Sequence, residues 1–269
     1  MASSRQSQND VEVLETGNIY FVYRPRVEEK HAEEEQVEGE EQVEGLDDVQ
    51  RFYMVLKPKG KKVYRMLAMG RKQLPDANQR GDQAWGFVEA VSKDPGKLEQ
   101  SLRAQTYQTK TRGERELPAA RPVGEGVYQL VHHGDHTHLA YALELPHRPG
   151  DAQGELNIEP EGNYILQIKN PQKSSPRNAG LPRQDKADLP KRLQSAFKGR
   201  RFASAEPPEF LDYEGVELLL IAASDDVSRD LGIELDLQKE TEHSAEILSD
   251  LRMRKSRHPI EPLLSGEWR

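Results

Sequence analysis

The sequence predicts an α+β domain, a mainly antiparallel sheet of about seven or eight strands with two short helices. Short runs rich in aromatic and β-branched residues recur between Gly- and Pro-containing turns. A Gly-Asp pair separates two alternating runs, as in a two-residue hairpin. Helix-start signals are few and are followed by short amphipathic stretches.

Taken in order, Asn18–Arg24 and Gln50–Lys57 read as strands. Pro58-Lys59-Gly60 then turns the chain into a third, Val63–Met69, and Trp85–Val91 makes a fourth. Asp94-Pro95 is an N-cap followed by proline at the first helical position, and Leu98 and Leu102 are spaced for one buried face, which predicts a helix ending near Ala104. A loop from Thr109 to Glu125 leads to a hairpin at 127–144, and Asn163–Lys169 is a further strand stopped by Asn170-Pro171. Asp188-Leu189-Pro190 starts the second helix, which uses Leu193 and Phe197. Val216–Ala223, the least polar run, suits a strand covered on both faces or a buried helix turn, and periodicity does not separate the two. Gly17-Asn18-Ile19-Tyr20 and Gly162-Asn163-Tyr164-Ile165 start strands alike, a weak internal repeat.

These elements define a single domain at 10–224, preceded by a disordered N-terminus at 1–9. The 269-residue chain is polar, with 35% hydrophobic and 31% charged residues, so parts of it are expected to stay unfolded. Residues 28–48 hold eleven acidic groups against Lys30 alone, and they include Glu-Glu-Gln-Val-Glu-Gly twice in tandem. Such composition cannot offset the entropy of ordering the backbone, so 27–48 reads as a disordered acidic insertion. Residues 225–269 read as a charged C-terminal tail. Within it, 241–255 is a candidate amphipathic helix on Ile247, Leu248 and Leu251 with an Asp250–Arg254 pair. The apolar end, with Leu263, Leu264 and Trp268, either docks back on the domain or serves as a partner-binding peptide.

The chain has no cysteine, which excludes disulfides and thiolate chemistry and is compatible with a reducing cytosol. No apolar run approaches a membrane span, so a cytoplasmic protein without a membrane partner is the expectation. No strained nucleophile turn, phosphate-loop glycine pattern or dinucleotide motif is present, which speaks against enzymatic function.

Two clusters carry the candidate chemistry. In His132-His133-Gly134-Asp135-His136-Thr137-His138, a turn at Gly134-Asp135 places His133 opposite His136, with His138 diagonal on the same outer face. The other face then carries Tyr128, Leu130, Leu139, Tyr141 and Leu143 toward the core. Directly opposed Cβ atoms lie about 4.5–5.5 Å apart, so His133, Asp135, His136 and His138 are candidate ligands for Zn²⁺ or another divalent transition metal. The second cluster is basic. Residues 169–201 hold ten Lys/Arg against two Asp, and Lys191, Arg192, Lys198, Arg200 and Arg201 lie beside Phe202 where they can contact phosphates or other anions. Arg200 and Arg201 can instead pair with the chain's own acidic stretch at 206–217.

Three functional readings follow. The first is a binding or regulatory protein that contacts a protein partner through charged surfaces and the tail. The second is a metal-dependent enzyme centred on 132–138. The third is a nucleic-acid-associated factor using 191–201, and a protein partner ranks ahead of nucleic acid.

Overall fold

A computed structural model describes residues 11–27, 43–109, 113–175, 180–237 and 244–268. Among the described residues there are eleven strands: β1 (Val11–Pro25), β2 (Val49–Pro58), β3 (Tyr64–Met69), β4 (Gln83–Ser92), β5 (Gln105–Thr109), β6 (Gly113–Leu117), β7 (Arg121–His133), β8 (His136–Leu145), β9 (Glu161–Lys169), β10 (Phe202–Ser204) and β11 (Glu217–Ser224). The six α-helices among the described residues are short: α1 (Pro95–Leu102), α2 (Asp151–Glu155), α3 (Lys191–Ala196), α4 (Val227–Leu231), α5 (Glu246–Asp250) and α6 (Glu261–Ser265).

The sheet closes on itself. Antiparallel pairing runs β9-β11-β4-β3-β2-β1-β7-β8, and β8 then pairs with β9 from Thr137↔Leu166 to Ala142↔Glu161. The expected α+β architecture is therefore corrected to an eight-stranded closed β-barrel with extra strands and short helices. Alternation along a strand marks one inward face, and that face looks the same whether helices or the opposite barrel wall cover it. The closing pair is invisible to such a reading. Of the extra strands, β10 extends the β8 edge of β9 through Gln167–Lys169, and β5 pairs with β6 in a separate two-stranded sheet.

Side chains fill the barrel, as expected at eight strands. Phe21 stacks on Phe52 with ring centroids 6.2 Å apart and meets Tyr141 edge-on at 5.2 Å. Leu67, Tyr128, Leu139, Tyr164 and Leu220 complete the same buried cluster. Strands approach most closely at Gly126, where an added Cβ would lie 2.1 Å from the Ala142 carbonyl oxygen, so only glycine fits that bend.

Both ends are plugged. The end where β9 finishes is closed by the 183–213 crossover, whose Leu193, Phe197, Phe210 and Leu211 are buried against the barrel residues. At the opposite end Val43, Leu74, Ala77, Leu156 and Ile158 join the same cluster. Residues 1–9 and most of the acidic insertion, 28–42, lie outside the described residues. The carboxyl end of the insertion is packed: Val43 is 4% exposed, and the Leu46 N–H donates to Glu155 Oε2 at 2.7 Å. Replacing 28–42 by a short Gly/Ser linker should therefore leave the thermal midpoint almost unchanged, since loop closure changes by only ~0.6 kcal/mol per doubling of length. Extending the replacement through 48 should lower the midpoint by several degrees, because Val43 is then lost from the core.

The tail forms the outer coat. Val227 and Leu231 of α4 cover Val131 and Ala140. Leu98 and Leu102 of α1, with Ile247, Leu251, Met253 and Leu263, cover the outward residues of β1–β3, among them Tyr20, Val22, Val55 and Met66. The helix expected at 241–255 is confined to α5 among the described residues. Its Asp250 serves Lys57 at 2.5 Å and the Tyr20 hydroxyl rather than Arg254.

Candidate functional site

The histidine hairpin has the expected register. His133 pairs with His136, Leu130 with Leu139 and Tyr128 with Tyr141. Gly134 has φ +61° and Asp135 follows without positive φ, the pattern of a primed turn with glycine first. His133 and His138 face outward, their rings 5.6 Å apart. His138 does not reach solvent, however. It is 6% exposed, its Nδ1 lies 2.8 Å from Asn163 Oδ1, and Asn163 Nδ2 donates to Asp230 of α4 at 2.5 Å. Burial lowers the His138 pKa against the opposing effect of the Asn163 hydrogen bond, so the ring is neutral at pH 7. His136 is exposed at the tip beside Asp135, and His132 Nδ1 lies 2.9 Å from Glu206 Oε2. Among the described residues no group of three or more His, Asp or Glu side chains is arranged to hold a metal ion.

The proposed partner-binding residues of the tail pack on their own barrel. Leu263 is fully buried, Leu264 packs against the same outer cluster, and Trp268 meets Tyr23 edge-on at 5.2 Å. The segment is held by buried polar groups. Glu125 accepts the N–H groups of Glu246 and Ile247, each at 2.9 Å, and Gln153 Nε2 donates to the Pro262 carbonyl at 2.8 Å.

The basic segment behaves differently. Strand β9 ends in Lys169, whose ammonium donates to the carbonyls of Asn170 (2.8 Å) and Lys173 (2.7 Å) and so folds the 170–173 loop outward. Asn170 then organises a rim. Its Oδ1 accepts from the Gln172 N–H and from Gln194 Nε2 of α3, and its Nδ2 donates to the Arg200 carbonyl. Between this loop and α3 opens a surface cavity of about 430 Å³ lined by Lys173, Lys191, Gln194, Ser195 and Lys198, with no carboxylate in its wall. A second cavity of about 650 Å³ shares Gln172, Lys173 and Gln194 with it and extends toward Arg183 and Lys186.

The charges here are largely uncompensated. Among the described residues Lys173, Arg183, Lys191, Lys198, Arg200 and Arg201 have no carboxylate partner within ion-pair distance. It is Arg192, not Arg200 or Arg201, that pairs with the acidic stretch, through Glu209 at 2.6 Å for its Nη1. Lys186 is likewise committed, to Glu217 at 2.9 Å. Lys169 registers the resulting field: burial lowers its pKa first, and the charges of Lys186 and Arg201 lower it further against Glu217. The β2–β3 turn adds the exposed Lys59 and Lys62 at the same end of the barrel, while its Lys61 is held by Glu15 at 2.7 Å.

Of the basic residues singled out in the sequence, Lys191 and Lys198 line this cavity, whereas Arg192, Arg200 and Arg201 do not. Sequence reasoning missed Asn170, Gln172, Lys173 and Gln194, which are ordinary loop and helix-surface residues until the fold gathers them. Among the described residues no helix is long and apolar enough to cross a membrane. Compared with protein-family models, with curated proteins and with solved structures, the chain matches none.

Proposed function

We propose that this protein is a polyanion-binding factor that holds the phosphate backbone of nucleic acid on the basic end of its barrel. The observation that carries the reading is the convergence of Lys173, Lys191 and Lys198 on one cavity without a carboxylate in its wall and, among the described residues, without an ion-pair partner for any of the three. Like charges held together repel one another, and a bound polyanion relieves that repulsion. The tail, the other surface the sequence offered, is spent on covering the barrel, which favours this reading over a partner peptide at 263–268.

Binding of a fluorescent mixed-sequence oligonucleotide should fall steeply as salt rises, because each phosphate neutralised by Lys or Arg releases condensed counterions. Lys173→Glu together with Lys191→Glu should weaken binding at least tenfold and flatten the salt slope by about two contacts. Arg192→Ala should change it little, since that guanidinium is committed to Glu209. Absence of measurable binding at low salt, or equal losses for the two variants, would refute the assignment.

A further inference from the structure

Resting on that reading, we infer that the nucleic acid is bound as a single strand and that Trp85 and Phe202 form the platform on which an unpaired base stacks. Phe202 opens β10 directly after Arg200 and Arg201, and it stands in register with Lys169 at the base of the basic loop. Trp85 reaches it from β4, with ring centroids 5.9 Å apart and planes inclined by 51°. Of the two strands between, β11 places Leu219, 6% exposed, on the same face directly opposite Trp85, and β9 places the half-buried Gln167 beside it, so the floor is apolar under Trp85 and carries one amide toward Phe202. Ile221 and Ile165 pair opposite each other and continue the strip outward, both half-buried.

This strip is half-buried, whereas the outward residues of the wall beneath the coat are buried. The tail and α1 cover β1–β3, and α4 covers Val131 of β7 and Ala140 of β8 and reaches the Glu161–Asn163 end of β9, away from Phe202. Trp85, Phe202, Ile165 and Ile221 belong to none of the buried clusters. Cations therefore lie on one side of an aromatic surface, and Arg200 and Arg201 join the two. Phosphates on the cations and base faces on the rings is the division of labour by which proteins hold single strands. A duplex keeps its bases stacked on one another and presents only edges and backbone, so it uses the cations and leaves the rings idle.

The test compares a single-stranded oligonucleotide of about sixteen nucleotides, the matching duplex and inorganic polyphosphate, which has charge and no bases. Trp85→Ala with Phe202→Ala should lower single-strand affinity about tenfold or more and leave polyphosphate and duplex binding unchanged. A second readout spares the platform. Trp85 and Trp268 are the chain's two tryptophans, and Trp268→Phe leaves Trp85 as the sole reporter. Its emission should be quenched by the single strand and not by polyphosphate. Polyphosphate binding with no quenching by the single strand, or with equal affinity for all three ligands, overturns the stacking inference alone. Failure of every polyanion to bind overturns the basic-end reading beneath it.

Discussion

Replacing Arg65 by Met is expected to destabilise the fold by about 3–5 kcal/mol at neutral pH, as breaking a buried ion pair by removing one partner typically does. The Arg65 side chain is fully buried at the end of the barrel closed by the 183–213 crossover. Its Nη1 and Nη2 donate to the two Glu15 oxygens at 2.5 and 3.2 Å, and its Nε donates to Asp212 of the plug at 2.7 Å. Tyr128 adds a hydrogen bond to Glu15 at 2.9 Å and Lys61 one at 2.7 Å. Without Arg65 the Glu15 carboxylate, 3% exposed, keeps only the largely exposed Lys61 and the Tyr128 hydroxyl.

The pH dependence should change sign. Burial pushes the Glu15 pKa up, but the hydrogen bond and charge of Arg65 outweigh it and hold the carboxyl below its ordinary value of 4.5. A depressed carboxylate contributes stability above its unfolded pKa and loses it as pH falls through the folded pKa. In the Met variant burial is opposed by far less, so Glu15 shifts upward and protonation becomes favourable to folding. Urea unfolding at pH 7 and at about pH 4 should thus show the gap between the two proteins narrowing in acid. Adding Glu15→Gln to Arg65→Met should recover part of the loss at pH 7, since the unpaired buried charge is gone. A gap under 1 kcal/mol, or one that widens in acid, would show that the network carries no such load.

This network also shows what the sequence made legible and what it hid. The hairpin register was readable because a Gly-Asp turn fixes it and a one-residue slip would bring His133 and Val131 to the core face in place of Leu130. The strands themselves were readable for the same reason, although β1 begins at Val11, seven residues before the expected Asn18. The signal for Arg65 was present as well: in Val63–Met69 it shares parity with Leu67 and Met69, an arginine on an inward face. Closure was not readable. Nothing in 137–142 or 161–166 distinguishes a partner strand in a barrel from an edge strand under a helix. Outward parity also misleads about exposure. His138 points outward, yet a segment almost a hundred residues later folds over it, and only the three-dimensional arrangement records that. The Trp85–Phe202 pair was hidden likewise, because its partners come from strands more than a hundred residues apart in sequence.

Truncating the chain after Ser224 is expected to leave a protein that does not persist in a folded state. The cut removes Val227, Leu231, Ile247, Leu251, Met253 and Leu263, all at most 5% exposed, and bares Tyr20, Val22, Val55 and Met66 beneath them. At ~2 kcal/mol for each fully buried apolar side chain the loss approaches ~12 kcal/mol, comparable with the ~5–15 kcal/mol that holds a typical domain together. The polar consequences act in the same direction. Glu125, 1% exposed, loses the two backbone N–H groups of α5, and Tyr20 loses Asp250. Single changes should scale accordingly: Leu251→Ala and Leu263→Ala each cost about 2–5 kcal/mol through the cavity they leave. Solvent-side changes in the same segment, such as Arg254→Ala, should cost under 0.5 kcal/mol. Denaturant unfolding and binding of a hydrophobic dye report both effects. A truncated chain with the thermal midpoint of the intact protein and no dye binding would mean that the tail leaves the barrel in solution, freeing Leu263, Leu264 and Trp268 for another protein. The expected result is instead that Leu263→Ala registers as a loss of stability, because its side chain is part of the barrel's outer core.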